Sequence, residues 1–251
     1  MRCESLSPCF SPPRCHADHS QEYNIDVLRL CFAKDVNVVF ASDEEKEQCT
    51  KYRTFIESEL PKQNLTVRGR DKENRPIVIY MSRQEGSDSL SFDTEAFVVT
   101  RLYVVERAIA AVEFLSVGQE EKLTVFFRTG DYERANAPPF AAIKHMLTLL
   151  QPNYPERLKT FVMLDPPFWM RTLYSLIRIF LDEKTASKLV MVAGEAEKER
   201  ELAEIVASDQ AMPFMLSDGK LTSSIEPSYY LHQVPFYCPY DEAGRRPAET
   251  Q

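Results

Sequence analysis

Glycine and histidine are scarce in this chain, and their scarcity argues against several classes of enzyme. The 251 residues include seven glycines and four histidines. No glycines are grouped as a phosphate-binding loop requires, and neither a Gly-x-Ser-x-Gly nor a His-Glu-x-x-His motif occurs. His145 lies inside a helical pattern, where a structural role is the simplest interpretation. We therefore expect a binding protein without cofactor or metal rather than an enzyme.

Long apolar segments are lacking as well. No run approaches the roughly 20 residues that a membrane-spanning helix needs, and the N-terminus lacks the apolar core of a secretory signal. The net charge of −8 does not favour nucleic acid or an anionic membrane as a partner of the whole surface. These features predict a cytoplasmic protein with mostly reduced thiols, and we expect a monomer that does not bind nucleic acid.

The N-terminal 22 residues are rich in Ser, Pro, Cys and His and show little apolar periodicity. Residues 1–22 are therefore predicted to be a disordered tail. Cys3, Cys9 and Cys15 lie near two histidines, which raises a metal site as an alternative. Their spacing does not match the compact pairs of structural zinc sites, so free thiols are the simpler interpretation.

Residues 23–61 carry the signals of a helical segment. Apolar clusters between Ile25 and Phe40 predict one or two short helices. Ser42 and Glu45 have the spacing of a capping box, in which the serine hydroxyl accepts a hydrogen bond from the amide three residues on. Pro61 is expected to end the helix that follows, because proline cannot continue the hydrogen-bond ladder.

The central part of the chain alternates between short apolar runs and helical patterns. The predicted strands are Pro76–Met81, Leu123–Phe127, Phe161–Leu164 and Leu189–Val192. The predicted helices are residues 93–115, 138–151 and 195–207. Alternating strands and helices indicate βαβ units, and hence an α/β fold with a mainly parallel sheet and flanking helices.

One amphipathic segment has large apolar residues on most of its circumference. It runs from Phe168 to Leu181, directly after Asp165-Pro166-Pro167, and a polar turn at Thr185–Lys188 follows it. A helix that is apolar on more than one side needs more than one apolar partner. One partner is the protein core, and the other is a lipid, a membrane or another subunit.

This region resembles the CRAL-TRIO lipid-binding family, typified by the fungal phosphatidylinositol/phosphatidylcholine transfer proteins. The resemblance covers roughly residues 62–220, and residues 221–251 form a C-terminal extension. It implies a sheet that floors a lipid pocket and a mobile gate helix, here residues 168–181, that covers the pocket. The matching pieces, in order, are Asn74-Arg75-Pro76-Ile77-Val78, Tyr154-Pro155-Glu156-Arg157-Leu158, Phe161–Leu164, Pro167-Phe168, Phe180-Leu181-Asp182, Thr185-Ala186-Ser187-Lys188-Leu189, and Met212-Pro213 to Asp218-Gly219.

The resemblance also implies a set of residues that bind the lipid head group. Glu156 matches the carboxylate that receives inositol hydroxyls, and Thr185 and Lys188 match the pair that binds the phosphoinositol group. Lys34 is a weaker match to an N-terminal arginine that helps to hold phosphate. Thr124 matches a hydroxyl that meets phosphatidylcholine. For each residue the alternative is an ordinary structural or solvated side chain.

The apolar pocket and its gate are expected to use large hydrophobic side chains, although plain core packing is the better explanation of each of them taken singly. The candidates are Ile79, Met81, Phe126, Met163, Phe168, Leu173, Tyr174, Ile177 and Phe180. Two acyl chains bring dozens of methylenes, each worth about 0.8 kcal/mol on burial.

Most departures from the family pattern lie at positions expected to bind phosphatidylcholine. Lys122 and Leu150 replace two hydroxyl positions, and the usual Asp-x-x-Gly at a strand end is here Phe127-Arg128-Thr129-Gly130. We therefore expect phosphatidylinositol as the favoured cargo, collected during transient contact with a membrane surface. The alternatives are a retinoid, tocopherol or isoprenoid carrier, and an interaction module for a lipid kinase or small GTPase whose pocket is vestigial.

Overall fold

The computed structural model of the protein describes residues 25–32, 42–60, 65–81, 92–116, 119–130, 132–207 and Leu231. The expected N-terminal tail, Lys34, the element at residues 212–219 and nearly all of the C-terminal extension lie outside this part of the chain.

A five-stranded sheet forms the centre of the described structure, with its strands in sequence order. The strands are β1 Leu65–Arg70, β2 Pro76–Met81, β3 Leu123–Arg128, β4 Leu158–Leu164 and β5 Leu189–Val192. β1 and β2 pair in antiparallel fashion, and the remaining neighbours pair in parallel. The mainly parallel α/β sheet expected from the sequence is therefore confirmed.

Seven helices accompany the sheet within the described residues. They are α1 Ile25–Phe32, α2 Asp43–Glu59, α3 Thr94–Ser116, α4 Phe140–Asn153, α5 Phe168–Ile177, α6 Glu183–Ala186 and α7 Glu195–Ile205. The start of α2 is as predicted, because the Ser42 hydroxyl accepts a hydrogen bond from the Glu45 amide at 3.2 Å. The Asp93 carboxylate caps α3 in the same way, accepting from the Ala96 amide at 3.0 Å.

The two faces of the sheet pack against different helices. Val78 belongs to one large core with α1, α2, α3 and α4, whereas its neighbours Ile77 and Ile79 pack with Leu202 of α7. Since successive strand residues point to opposite faces, the α3 and α4 side and the α7 side are each lined by alternate residues. This alternation decides which strand residues lie beneath the gate helix.

Cys49 differs from the sequence expectation. This residue of α2 is buried and disulfide-bonded in the structure, whereas the sequence analysis predicts mostly reduced thiols. The surrounding core includes Val27 and Leu28 of α1 and Tyr52 of α2. The helical N-terminal part packs against α3, and α3 in turn packs on β1 and β2.

Candidate functional site

The helix expected to act as a gate, called the gate helix below, is shorter than predicted and ends in a tighter turn. α5 spans Phe168–Ile177, and a 3₁₀ turn continues it over Arg178–Phe180. Pro167 is the N-cap of the helix and has an extended backbone, as N-cap residues typically do. Asp165 has a positive φ of 53°, so the chain turns sharply between β4 and this helix.

The inner side of the gate helix rests on aromatic and sulfur-containing side chains of the sheet. Met170 is buried in a cluster with Phe127 of β3 and Met163 of β4. The indole ring of Trp169 lies 5.3 Å from the ring of Tyr132, which follows β3. These contacts hold the first turn of the helix against the sheet.

The other end of the gate helix is held by α4. The Gln151 side-chain amide donates a hydrogen bond to the Phe180 carbonyl at 2.7 Å. The Phe180 ring lies 5.9 Å from the Phe140 ring, and the Lys144 ammonium sits 5.0 Å from its centre. Three side chains of α4 thus contact Phe180, the last residue of the 3₁₀ turn that continues α5.

The outer side of the gate helix presents an apolar ridge to solvent. The exposed fractions of Phe168, Leu176 and Ile179 are 84%, 54% and 76%. Arg171 and Arg178 are also exposed, and their spacing of seven places them on one side of the helix. An apolar strip beside two cations has the character of a surface that meets an anionic bilayer.

Two of the three residues expected to bind the head group are in contact with each other. Glu156 lies in the turn between α4 and β4, and Lys188 immediately precedes β5. The Lys188 ammonium is 3.5 Å from Glu156 Oε2. Thr185 lies three residues before Lys188 on α6, where its amide donates to the Asp182 carboxylate at 2.8 Å.

The backbone positions this head-group cluster of Glu156, Thr185 and Lys188 firmly. The Lys188 carbonyl accepts hydrogen bonds from the Phe161 amide at 2.9 Å and from the Thr160 hydroxyl at 3.3 Å. Glu156 has a φ of 61°, which disfavours a residue with a β-carbon by roughly 1–2 kcal/mol. Such strain at a carboxylate is a reason to consider a function for it.

Lys184, which the sequence analysis did not single out, also forms an ion pair with Glu156. The Lys184 ammonium lies 2.7 Å from Glu156 Oε1, so each oxygen of this carboxylate faces a lysine. The hydrogen bond from Lys184 is the main reason that the pKa of Glu156 lies below its usual value, and the charge of Lys188 lowers it further. Nothing in the sequence indicated this contact, because Lys184 and Glu156 are distant in sequence and only the tertiary structure brings them together.

Thr124 is engaged elsewhere. It is fully buried, and its hydroxyl donates to Asp71 Oδ2 at 2.8 Å. The same carboxylate oxygen accepts a hydrogen bond from Arg75 Nε at 2.7 Å, and Arg75 also pairs with Glu120 at 3.1 Å. The structure therefore places Thr124 in a buried network that closes the β1–β2 hairpin, so its hydroxyl is already committed, which corrects the expected head-group role.

The expected pocket residues divide between the two faces of the sheet. Ile79, Met81 and Phe126 are buried with Leu202 and Val206 of the α7 side. They do not share a face with the gate helix, which corrects their expected place in a pocket beneath it. The wrong set of alternate strand residues was chosen, because a shift of one residue along a strand exchanges the two faces of the sheet.

The remaining pocket candidates lie on or beneath the gate helix. Met163 is buried under it, and four of the helix residues are half-buried: Leu173, Tyr174, Ile177 and Phe180. Phe168 points to solvent instead. The strand residues missed by the sequence analysis are the neighbours of those proposed, Tyr80 and Phe127, whose rings lie 4.3 Å apart.

Neither a membrane span nor a metal site is found within the described residues. None of their helices combines the length and apolar character that crossing a membrane requires. No group of three or more His, Cys, Asp or Glu side chains in this part of the chain is arranged to hold a metal ion.

Residues 60–214 match the family model of the CRAL/TRIO domain, which covers more than half of the chain. Patellin-5 of Arabidopsis thaliana is 25% identical over 154 residues, covering 57% of this chain and 22% of that protein. The phosphatidylinositol transfer protein SFH5 of Kluyveromyces lactis is 24% identical over 163 residues, covering 63% and 52%. The SEC14 cytosolic factor of Yarrowia lipolytica is 25% identical over 215 residues, covering 75% and 42%. The chain thus spans about a fifth to a half of the length of these relatives.

A solved structure, described as the crystal structure of Sfh5, shares the fold. It matches with a TM-score of 0.53 at 15% identity and covers 83% of this chain and 80% of that chain. The strand order, the flanking helices and the family match agree. The chain therefore belongs to the CRAL/TRIO domain family, as its sequence resemblance predicted, and the proteins similar to it include phosphatidylinositol transfer proteins.

Proposed function

We propose that this chain binds and transfers a phospholipid, with phosphatidylinositol as the favoured cargo. The observation that carries the proposal is the contact between Glu156 and Lys188, with Thr185 on the adjoining turn. A carboxylate accepts several charge-assisted hydrogen bonds, which suits the hydroxyls of an inositol ring. An ammonium neutralises the phosphodiester that joins the ring to the glycerol. The names of two similar proteins, both phosphatidylinositol transfer proteins, support the same cargo.

The Lys188 side chain is suited to phosphate because it is only 16% exposed, whereas that of Glu156 is 52% exposed. A partly desolvated cation binds an anion more strongly than a fully solvated one. The hydroxyl-accepting side of the cluster remains open to water, where a sugar ring with several hydroxyls is readily accommodated. No step of bond making or breaking is needed, and we propose that the protein is not an enzyme.

The gate helix would cover the acyl chains. Its inner residues Leu173, Tyr174 and Ile177 are half-buried, so they retain apolar surface that a lipid tail can contact. Its outer ridge would meet the bilayer while the lipid is exchanged. We propose a protein that resides in the cytoplasm as a monomer and associates with membranes transiently.

Head-group recognition is tested with a double variant. Thr185→Ala/Lys188→Ala should lose most of its ability to extract phosphatidylinositol from vesicles while retaining its thermal unfolding midpoint. The matched control is Thr54→Ala/Lys51→Ala, which removes the same residue types at the same spacing from the exposed surface of α2. Extraction by the first variant equal to that of the wild type would refute the head-group assignment.

The cargo itself is tested by mass spectrometry of lipids that co-purify with the protein. Phosphatidylinositol supports the proposal, and a neutral retinoid, tocopherol or isoprenoid would replace it with the alternative carrier function. Absence of any lipid would favour a module that interacts with a lipid kinase or small GTPase. Phosphatidylcholine should be transferred more slowly than phosphatidylinositol, because Lys122 and Leu150 occupy two hydroxyl positions.

A further inference from the structure

Lys184 makes the closest contact with the head-group carboxylate, and the cargo assignment gives it no role. Its ammonium lies 2.7 Å from Glu156 Oε1, while that of Lys188 lies 3.5 Å from Oε2. Each oxygen that would accept ring hydroxyls therefore already has a lysine beside it, which occupies part of its capacity to accept hydrogen bonds.

The two lysines differ in how firmly they are held. The Lys188 side chain is 16% exposed, and hydrogen bonds to its carbonyl fix its backbone to β4. The Lys184 side chain is 66% exposed and projects from α6, a helix of four residues. An exposed lysine exchanges a carboxylate for water at little cost, so Lys184 can leave Glu156 without disturbing the fold.

We propose that Lys184 is an internal competitor for Glu156, displaced when a ring hydroxyl of the incoming head group takes Oε1. The inference rests on the proposed function, since it assigns the same carboxylate to the inositol ring. Lys184 therefore weakens binding of the head group and favours ligands whose hydroxyls are numerous enough to replace it. A lipid without hydroxyl donors gains nothing at Glu156 and leaves Lys184 in place.

The competition also reaches the gate helix. The Glu156–Lys184 ion pair and the Gln151–Phe180 hydrogen bond join the same two segments, residues 151–156 and 180–188. Displacement of Lys184 removes one of these links.

The test measures extraction of phosphatidylinositol from phosphatidylcholine vesicles that contain it. Lys184→Gln should raise the apparent affinity roughly two- to fivefold, which corresponds to the value of an exposed ion pair. Lys184→Arg keeps the cation and should behave like the wild type. The matched control is Lys51→Gln, which removes the same charge and breaks the exposed ion pair of Lys51 with Glu95, 2.5 Å in length; its extraction should be unchanged.

The direction of the effect separates competition from general electrostatics. Loss of a cation weakens attraction to an anionic vesicle, so a purely electrostatic role of Lys184 predicts lower extraction by Lys184→Gln. Lower or unchanged extraction, or an equal gain in Lys184→Arg, would overturn the inference while leaving the cargo intact. Failure of the wild-type protein to extract phosphatidylinositol would overturn the cargo assignment and this inference together. Thermal unfolding of each variant confirms that the fold is retained.

Discussion

Removal of the apolar ridge on the gate helix should weaken membrane association without weakening the fold. In the variant Phe168→Ser/Ile179→Ser, two side chains with exposed fractions of 84% and 76% become polar. Full burial of such a side chain is worth about 2 kcal/mol, so their exposed parts together contribute at most about 3 kcal/mol when they enter the bilayer. The partition coefficient onto vesicles should therefore fall by as much as roughly a hundredfold. Neither side chain loses much burial in the folded protein, so the unfolding midpoint should hardly change.

Vesicle co-sedimentation over a range of lipid concentrations measures this partition directly. The control is Phe114→Ser, which changes another exposed phenylalanine, 57% exposed, on α3. The control should bind vesicles as the wild type does, because α3 is not part of the gate helix. Equal loss of binding in both variants would show that exposed apolar area matters but its position does not. Unchanged binding of the double variant would refute the assignment of the ridge to the membrane.

Three further outcomes follow from particular contacts. Thr124→Val should lower the free energy of unfolding by about 1–3 kcal/mol, since Asp71 loses a buried hydrogen-bond donor. Lipid extraction by the folded variant should stay unchanged. Loss of extraction by a variant of unchanged stability would restore the head-group role of Thr124. Gln151→Leu removes the hydrogen bond to Phe180 and should speed lipid exchange roughly two- to tenfold. The exchange rate is measured by stopped-flow fluorescence of the single tryptophan. An unchanged rate would mean that this hydrogen bond does not hold the gate helix. The pKa of Glu156 lies below its usual value of 4.5, so its carboxylate loses its negative charge only as the pH falls through that lowered pKa. Extraction of phosphatidylinositol should therefore be constant above pH 4.5. A loss of extraction near neutral pH would assign the titration to another group.

Local sequence signals predicted most of the secondary structure because the forces that set it act between near neighbours. The Ser42 cap fixes the start of α2, and short β-branched runs form β2, β3 and β5 as expected. β1 escaped prediction. Its apolar and polar residues alternate only from Leu65 to Arg68, and a bulge near Gly69 then interrupts the register, so the run is short for a strand signal. Thr66 and Arg68 are fully buried although polar, which this alternation does not predict.

Resemblance to the family identified residues of the head-group cluster but did not reveal the partners of every matched side chain. Glu156, Thr185 and Lys188 were identified from motif order, and the structure brings Glu156 and Lys188 into contact. Thr124 matched equally well by position, yet it serves a buried network with Asp71. A position in a strand does not reveal the partner of its side chain, because that partner comes from a different part of the chain.

The sequence by itself determined the family, the mainly parallel α/β sheet and the amphipathic helix that begins at Phe168, because periodicity and ordered motifs are written along the chain. Only the tertiary structure decided which face of the sheet lies beneath the gate helix, since a shift of one residue along β2 or β3 exchanges the faces. It also decided that Lys184 reaches Glu156, and that α4 holds Phe180 through Gln151. Each of these depends on contacts between segments distant in sequence, whose approach is set by the packing of helices on the sheet rather than by local preference.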